Sequence, residues 1–180
     1  MKAKLYATAA LGVFSAFLIV RVQTQQKTSP PPPAPTGSTD AQDHKMNERG
    51  DHVMGFDHMK TTHHFRLLPD GGSIEVAANL IEDKESRDQI RMHLGHIAKM
   101  FAAGNFKAPM LIHDQVPAGV PVMQKLKSDI QYKFEEMERG ARIRISTNTP
   151  EALQAIHDFL RFQIKEHKTG DSLEVGALSH

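Results

Sequence analysis

The feature that most constrains the fold of this chain is a pattern of strand, strand and helix that occurs twice. Apolar and polar side chains alternate around turn residues in 63–78 and again in 130–145, which predicts two β-hairpins. Each hairpin precedes a stretch with an apolar helical face, at 85–103 and at 150–169. The sequence therefore predicts an α+β fold, a four-stranded antiparallel sheet with two helices on one face in the order ββα-ββα.

The N-terminus of the chain has the charge and hydropathy layout of an export signal. Lys2 and Lys4 precede an uncharged run over residues 5–20, and Arg21 ends it. As a helix this run spans about 24 Å, close to a bilayer core of about 30 Å when the flanking basic side chains snorkel. No small-residue cleavage site follows, so we expect an uncleaved transmembrane anchor ahead of the fold. The positive-inside rule places everything after Arg21 outside the cytoplasm.

Composition divides the chain into three parts. Residues 1–22 are the signal-anchor segment, residues 23–45 are a proline-rich linker, and residues 46–175 are a single α+β domain. The linker contains four consecutive prolines, which favour an extended polyproline conformation and no helix. This layout predicts a domain that is held away from the membrane surface.

Charge and composition exclude several functional classes. A net charge of +1 offers no basic field for a phosphate backbone, so we expect no nucleic-acid partner. The chain has no cysteine, which removes disulfides, thiolate nucleophiles and thiolate metal ligands. Sequence signatures of acyl transfer, nucleotide hydrolysis and dinucleotide binding are absent as well. Enzymatic activity stays open, and an enzyme of this sequence would be a small metal-dependent one.

Histidine is the residue type that indicates function. The chain has eleven histidines, and all of them follow the apolar segment. On the first predicted helix, His93 and Met100 border one side of the apolar face, and His96 lies a little further round. A three-residue spacing lets two imidazoles converge on one ion, although the same pattern fits two polar border residues beside a core methionine. These three side chains are candidate metal ligands.

Four further histidines are candidate ligands on other elements. His63 and His64 are adjacent on a predicted strand, so we expect His63 to face the core beneath the helices and His64 to face the open side. His113 lies in residues 105–128, predicted as a long loop with one short helix near its end, and long loops often carry function. His157 lies on the second helix, close to its apolar face. Only some candidates can share one centre, because a metal ion binds about four such ligands.

The donor types in the sequence favour a transition metal ion as the cofactor. Imidazole suits copper, zinc, nickel and iron, whereas thioethers favour Cu(I). An exported domain with nine methionines and no cysteine therefore favours copper, with zinc as an alternative. A b-type haem held by axial histidines is a further alternative, but covalent c-type attachment is excluded because it needs cysteines.

The stretch from Met54 to Asp171 resembles a group of exported, histidine-rich bacterial proteins. Three segments carry the resemblance, Thr61–Phe65, Arg87–Phe101 and Ala155–His167. It implies a bacterial setting. Together with the predicted anchor, this setting predicts a single pass through the inner membrane, with the C-terminal domain in the periplasm or outside the cell. No activity is carried over from the group.

Two functional hypotheses follow from the sequence. The first is a membrane-tethered, extracytoplasmic metal-binding protein that handles copper or binds a b-type haem through histidines. The second is a non-catalytic domain that contacts a protein partner of the cell envelope, with histidines that are structural or respond to pH. The first hypothesis requires the domain to bind a metal, and the second does not.

Overall fold

A computed structural model of the chain describes residues 44–46, 48, 50 and 54–177. The predicted anchor and most of the predicted linker lie outside the described residues. Among the helices of the described part, none is both long enough and apolar enough to cross a membrane. In chain order, the elements from residue 58 onward are a 3-10 turn at His58–Lys60, β1 (Thr61–Leu68), β2 (Gly71–Ala78), α1 (Lys84–Ala102), α2 (Lys107–His113), α3 (Val120–Lys125), a 3-10 turn at Lys127–Asp129, β3 (Ile130–Met137), β4 (Gly140–Thr147) and α4 (Pro150–Glu166).

The four strands form one antiparallel sheet in the order β1-β2-β4-β3. Both hairpins have two-residue turns, with Leu68 opposite Gly71 in the first and Met137 opposite Gly140 in the second. The two halves of the chain meet where β2 pairs with β4. The α+β class and the four-stranded antiparallel sheet predicted from the alternation of side chains are therefore confirmed.

The two long helices pack against the apolar side of the sheet. α1 contacts mainly β3 and β4, whereas α4 contacts mainly β1 and β2. The helix faces that meet the sheet are apolar, with Ile90 and Leu94 buried on α1 and Ile156 and Leu160 buried on α4. These side chains join the buried strand residues in one hydrophobic cluster. Full burial of each such side chain stabilises the fold by about 1.5–3 kcal/mol.

The region between the two halves is more helical than the sequence predicted. Residues 105–128 contain α2, α3 and a 3-10 turn in place of a long loop with one short helix. Pro109 and Pro121 were misleading because each lies in the first turn of its helix, where a missing N–H breaks no intrahelical bond. Gly119 precedes α3 with a φ of 80°, and a Cβ there would lie 2.0 Å from the carbonyl oxygen of Ala155. Only glycine fits this approach of α3 to α4.

Candidate functional site

Four histidines from separate parts of the chain line one cavity between the sheet and the helices. The cavity has a volume of about 70 Å³ and a mostly apolar wall. We call it the histidine cavity and define it by His63 of β1, His93 of α1, His113 at the end of α2 and His167 directly after α4. An apolar cavity with a few converging polar groups is typical of a ligand site.

Each histidine reaches the cavity because of its position in its element. His63 has the same strand parity as Phe65, which is buried in the core, so its side chain points toward the helices. His93 borders the buried face of α1. His167 is the C-cap of α4 and follows the buried Gln163 by four residues, which places it on the same side of the helix axis.

The imidazole rings of His63, His167 and His113 form a row. Their centroids are separated by 5.7 Å between His63 and His167 and by 5.0 Å between His167 and His113. The ring of Phe56 links this row to His93, with centroids 6.1 Å from His63 and 5.6 Å from His93. With metal–nitrogen bonds of about 2.0 Å, two imidazoles on one tetrahedral ion have centroids about 5 Å apart. The separation of His63 and His167 is therefore in the range of imidazoles that share an ion, whereas Phe56 contacts both His63 and His93.

The rings are not already arranged around an ion. In the part of the chain that the structure describes, no three histidine, aspartate or glutamate side chains form a ready metal site. The rings would have to rotate about their side-chain bonds to bind one. Moving a side chain away from its preferred angle costs about 0.5–1.5 kcal/mol, whereas zinc binding to small peptide sites releases about 10–16 kcal/mol. Rotation on this scale is compatible with metal binding.

Burial keeps three of the four imidazoles neutral. Removal from water, with smaller contributions from neighbouring histidines, lowers the pKa of His63 and of His93 from 6.5 to about 4. The same causes lower the pKa of His167 from 6.5 to about 3. At pH 7 these rings are uncharged, and the neutral ring is the form that binds metal ions. We refer to these side chains as the three neutral rings.

The three neutral rings and His113 differ in their hydrogen bonds. Among the described residues, none hydrogen-bonds to a ring nitrogen of the three neutral rings. Nε2 of His113, in contrast, lies 3.1 Å from Oε1 of Gln163, and its Nδ1 lies 3.7 Å from a carboxylate oxygen of Glu166. Such contacts fix the orientation of an imidazole. The three neutral rings are therefore the candidate metal donors. His113 lines the cavity, but its contacts with Gln163 and Glu166 fix its orientation.

Three of the ligands predicted from the sequence do not line the histidine cavity. His64 lies on the opposite face of β1, where its Nδ1 is 2.9 Å from Oδ1 of Asp171. His96 is exposed on α1. Met100 packs at the edge of the hydrophobic core. Of the predicted row on the first helix, the structure brings only His93 to the other histidines.

His157 also lies apart from the cavity. Its ring is buried, and its Nε2 donates a hydrogen bond to the carbonyl oxygen of Leu68, 2.9 Å away. This bond joins α4 to the end of β1. The geometry indicates a structural role, because a buried carbonyl without a partner destabilises a fold by about 1–3 kcal/mol.

Three lining residues were missed by the sequence-based prediction of ligands. His167 continues the buried stripe of α4, seven residues after Leu160 and four after Gln163, and this spacing was a usable signal. Met54 and Phe56 precede β1 in a stretch without clear periodicity, so no pattern in the sequence placed them at the cavity. Phe56 belongs to the hydrophobic core, and Met54 packs against that core.

Comparison of the chain with models of protein families, with curated proteins and with solved structures found no match. The function must therefore be inferred from the side chains of the site and their geometry.

Proposed function

We propose that the domain binds a transition metal ion in the histidine cavity. The observation that supports this most strongly is that three neutral imidazoles, without hydrogen bonds to their ring nitrogens from the described residues, meet in a mostly apolar cavity. A neutral imidazole nitrogen without a hydrogen-bond partner keeps a lone pair that can bind a cation. A metal ion in the cavity would use these lone pairs.

Copper suits the donors best, and zinc is the alternative. Met54 adds a thioether to the wall of the same cavity, and a soft thioether beside imidazoles favours Cu(I). The volume of about 70 Å³ suits an ion with its ligands. Cavities that enclose drug-sized molecules measure about 300–1,000 Å³. We therefore propose an ion in place of the b-type haem that the sequence also allowed.

We infer that this domain works on the outer side of a bacterial inner membrane. The support is the predicted anchor over residues 5–20, the proline-rich linker after it, and the resemblance to exported bacterial proteins. A domain tethered in this way would hold copper close to the membrane, where a protein partner of the cell envelope can receive it.

An envelope interaction domain with pH-responsive histidines is the second candidate function. It is favoured by the low pKa values of the three neutral rings, which make the fold sensitive to acid. The two candidates differ in one measurable respect, because only the first requires metal binding.

Metal binding by the full chain in detergent distinguishes the two candidates. Cu(I) and Zn²⁺ are titrated in competition with coloured chelators against the wild type and a His63→Gln/His167→Gln variant. The matched control is a His44→Gln/His96→Gln variant, which loses two exposed histidines. We expect tight binding by the wild type and the control, and an affinity at least roughly 100-fold lower in the cavity variant. No binding by the wild type, or equal affinities in all three proteins, would exclude the histidine cavity as a metal site.

A further inference from the structure

A second cavity shares part of its wall with the histidine cavity. It has a volume of about 230 Å³, and it shares Met54, Ile112, His63 and His167 with the histidine cavity. We call it the vestibule. The side chains that line the vestibule alone are those of Met46, His58, Thr61, Thr62 and Thr169. Neither His93 nor His113 lines the vestibule.

Two thioethers line the vestibule. Residues 46, 50 and 54 are each helical, and all three positions belong to its wall. The middle position is Gly50, where an added Cβ would lie 3.2 Å from the terminal methyl group of Met54. The absence of a side chain at Gly50 therefore leaves room for the Met54 thioether. Met46 and Met54 are both half-buried, and so is His58.

The vestibule and the histidine cavity differ in their donor atoms, because only the vestibule contains two thioethers. The vestibule presents the thioethers of Met46 and Met54 together with the imidazole of His58. The next donors are His63 and His167, which belong to both cavities. Thioethers bind Cu(I) but have little affinity for Zn²⁺ or for hard cations. The uncharged wall of the histidine cavity further disfavours a hydrated ion that has not first exchanged water for protein ligands.

We propose that the vestibule captures Cu(I) and passes it to His63 and His167. This inference rests on the proposed function, since it names the ion and its route into the histidine cavity. The transfer is a ligand exchange in which a copper–sulfur bond breaks as a copper–nitrogen bond forms. The ion keeps its charge of +1 throughout, and no electron or proton has to move. The methionines thus determine how fast and how selectively the site fills, while the histidines determine how tightly the ion is held.

The rate of Cu(I) entry into the full chain tests the proposal. Loading from a coloured Cu(I)–chelator complex is followed by stopped-flow absorbance for the wild type and a Met46→Leu variant, because Met46 lines the vestibule and not the histidine cavity. Leucine keeps the size and apolar character of methionine, so the fold is expected to survive. The matched control is Met59→Leu, because Met59 is 74 % exposed and lines neither cavity. We expect Met46→Leu to load Cu(I) at least roughly tenfold more slowly, with Zn²⁺ loading and the copper stoichiometry unchanged.

Gly50→Ala gives a second variant that removes no donor. Alanine favours helix over glycine, so this change does not endanger the fold. The added methyl group would lie 3.2 Å from the terminal methyl group of Met54, so the thioether has to shift, and we expect slower Cu(I) loading with unchanged Zn²⁺ loading. If both variants load Cu(I) at the wild-type rate, or if Zn²⁺ loading is slowed equally, the role of the vestibule is overturned and the proposed function is not. A wild-type chain that binds no Cu(I) at equilibrium would overturn the proposed function, and the vestibule's role with it.

Discussion

Acid is expected to destabilise this fold through the three neutral rings. The unfolded chain has histidines with a pKa near 6.5, whereas the folded pKa is about 4 for His63 and His93 and about 3 for His167. Because the folded values are lowered, the folded state resists protonation, and its stability is fully present above pH 6.5. It is lost as the pH falls through the window between the unfolded and folded values.

The size of the effect follows from the number of protons involved. Each proton that the unfolded chain binds and the folded chain does not lowers the free energy of unfolding by about 1.4 kcal/mol per pH unit. Three histidines together give a loss of about 4 kcal/mol per pH unit in the steepest part of the window, between roughly pH 6 and 4.5. Domains of this size have a total stability of about 5–15 kcal/mol. We therefore expect the domain to unfold at a pH well above the ordinary pKa of its carboxylates.

Urea unfolding of the metal-free full chain at several pH values measures this loss. Circular dichroism is the suitable probe, since the chain has no tryptophan. In a His167→Gln variant, the slope of the free energy of unfolding against pH should be smaller by about 1.4 kcal/mol per pH unit, because one titrating ring has been removed. A His44→Gln variant is the matched control, as the side chain of His44 is 73 % exposed. A free energy of unfolding that stays constant from pH 7 to pH 5, or an equal slope in all three proteins, would refute the reasoning.

Three further predictions concern the parts of the fold that hold the site. His157→Ala leaves the carbonyl of Leu68 without its partner, so urea unfolding should show a loss of about 1–3 kcal/mol, and no loss would argue against a structural role. Gly119→Ala forces a side chain into a position with φ of 80° against the backbone of α4, and it should lower the free energy of unfolding by at least about 1 kcal/mol. Asp171→Asn removes the carboxylate that accepts the Phe65 N–H at 2.9 Å, so hydrogen exchange at Phe65 should accelerate, whereas unchanged exchange would contradict the role of this contact.

Local sequence was sufficient to predict the sheet. The hairpin between β1 and β2 depends on alternation and on the turn at Pro69 and Asp70, which are short-range features. The same alternation correctly separated His63 from His64, because adjacent strand residues point to opposite faces. Both helices that pack on the sheet were recognisable from their apolar stripes, since a stripe of this kind requires a surface to bury it.

The cavity itself depends on packing between distant parts of the chain. His167 meets His63 only because α4 packs along β1, and no local pattern encodes that contact. His93 and His96 show that a small change of direction around the helix axis decides whether a side chain reaches the cavity. Their spacing of three residues separates their directions by about 60°. That rotation leaves His93 at the cavity and His96 exposed. The sequence could therefore select His63, His93 and His113 as candidates, but it could not show which of them come together.

The most direct test of metal binding in the histidine cavity is nuclear magnetic resonance of the histidine ring nitrogens. The full chain is labelled with nitrogen-15 in histidine, and spectra are recorded before and after one equivalent of Cu(I). We predict large shifts for ring nitrogens of His63, His93 and His167, and unchanged resonances for His96 and His157. Unchanged resonances at the cavity histidines, or shifts confined to exposed histidines, would contradict the proposal that this domain binds copper there.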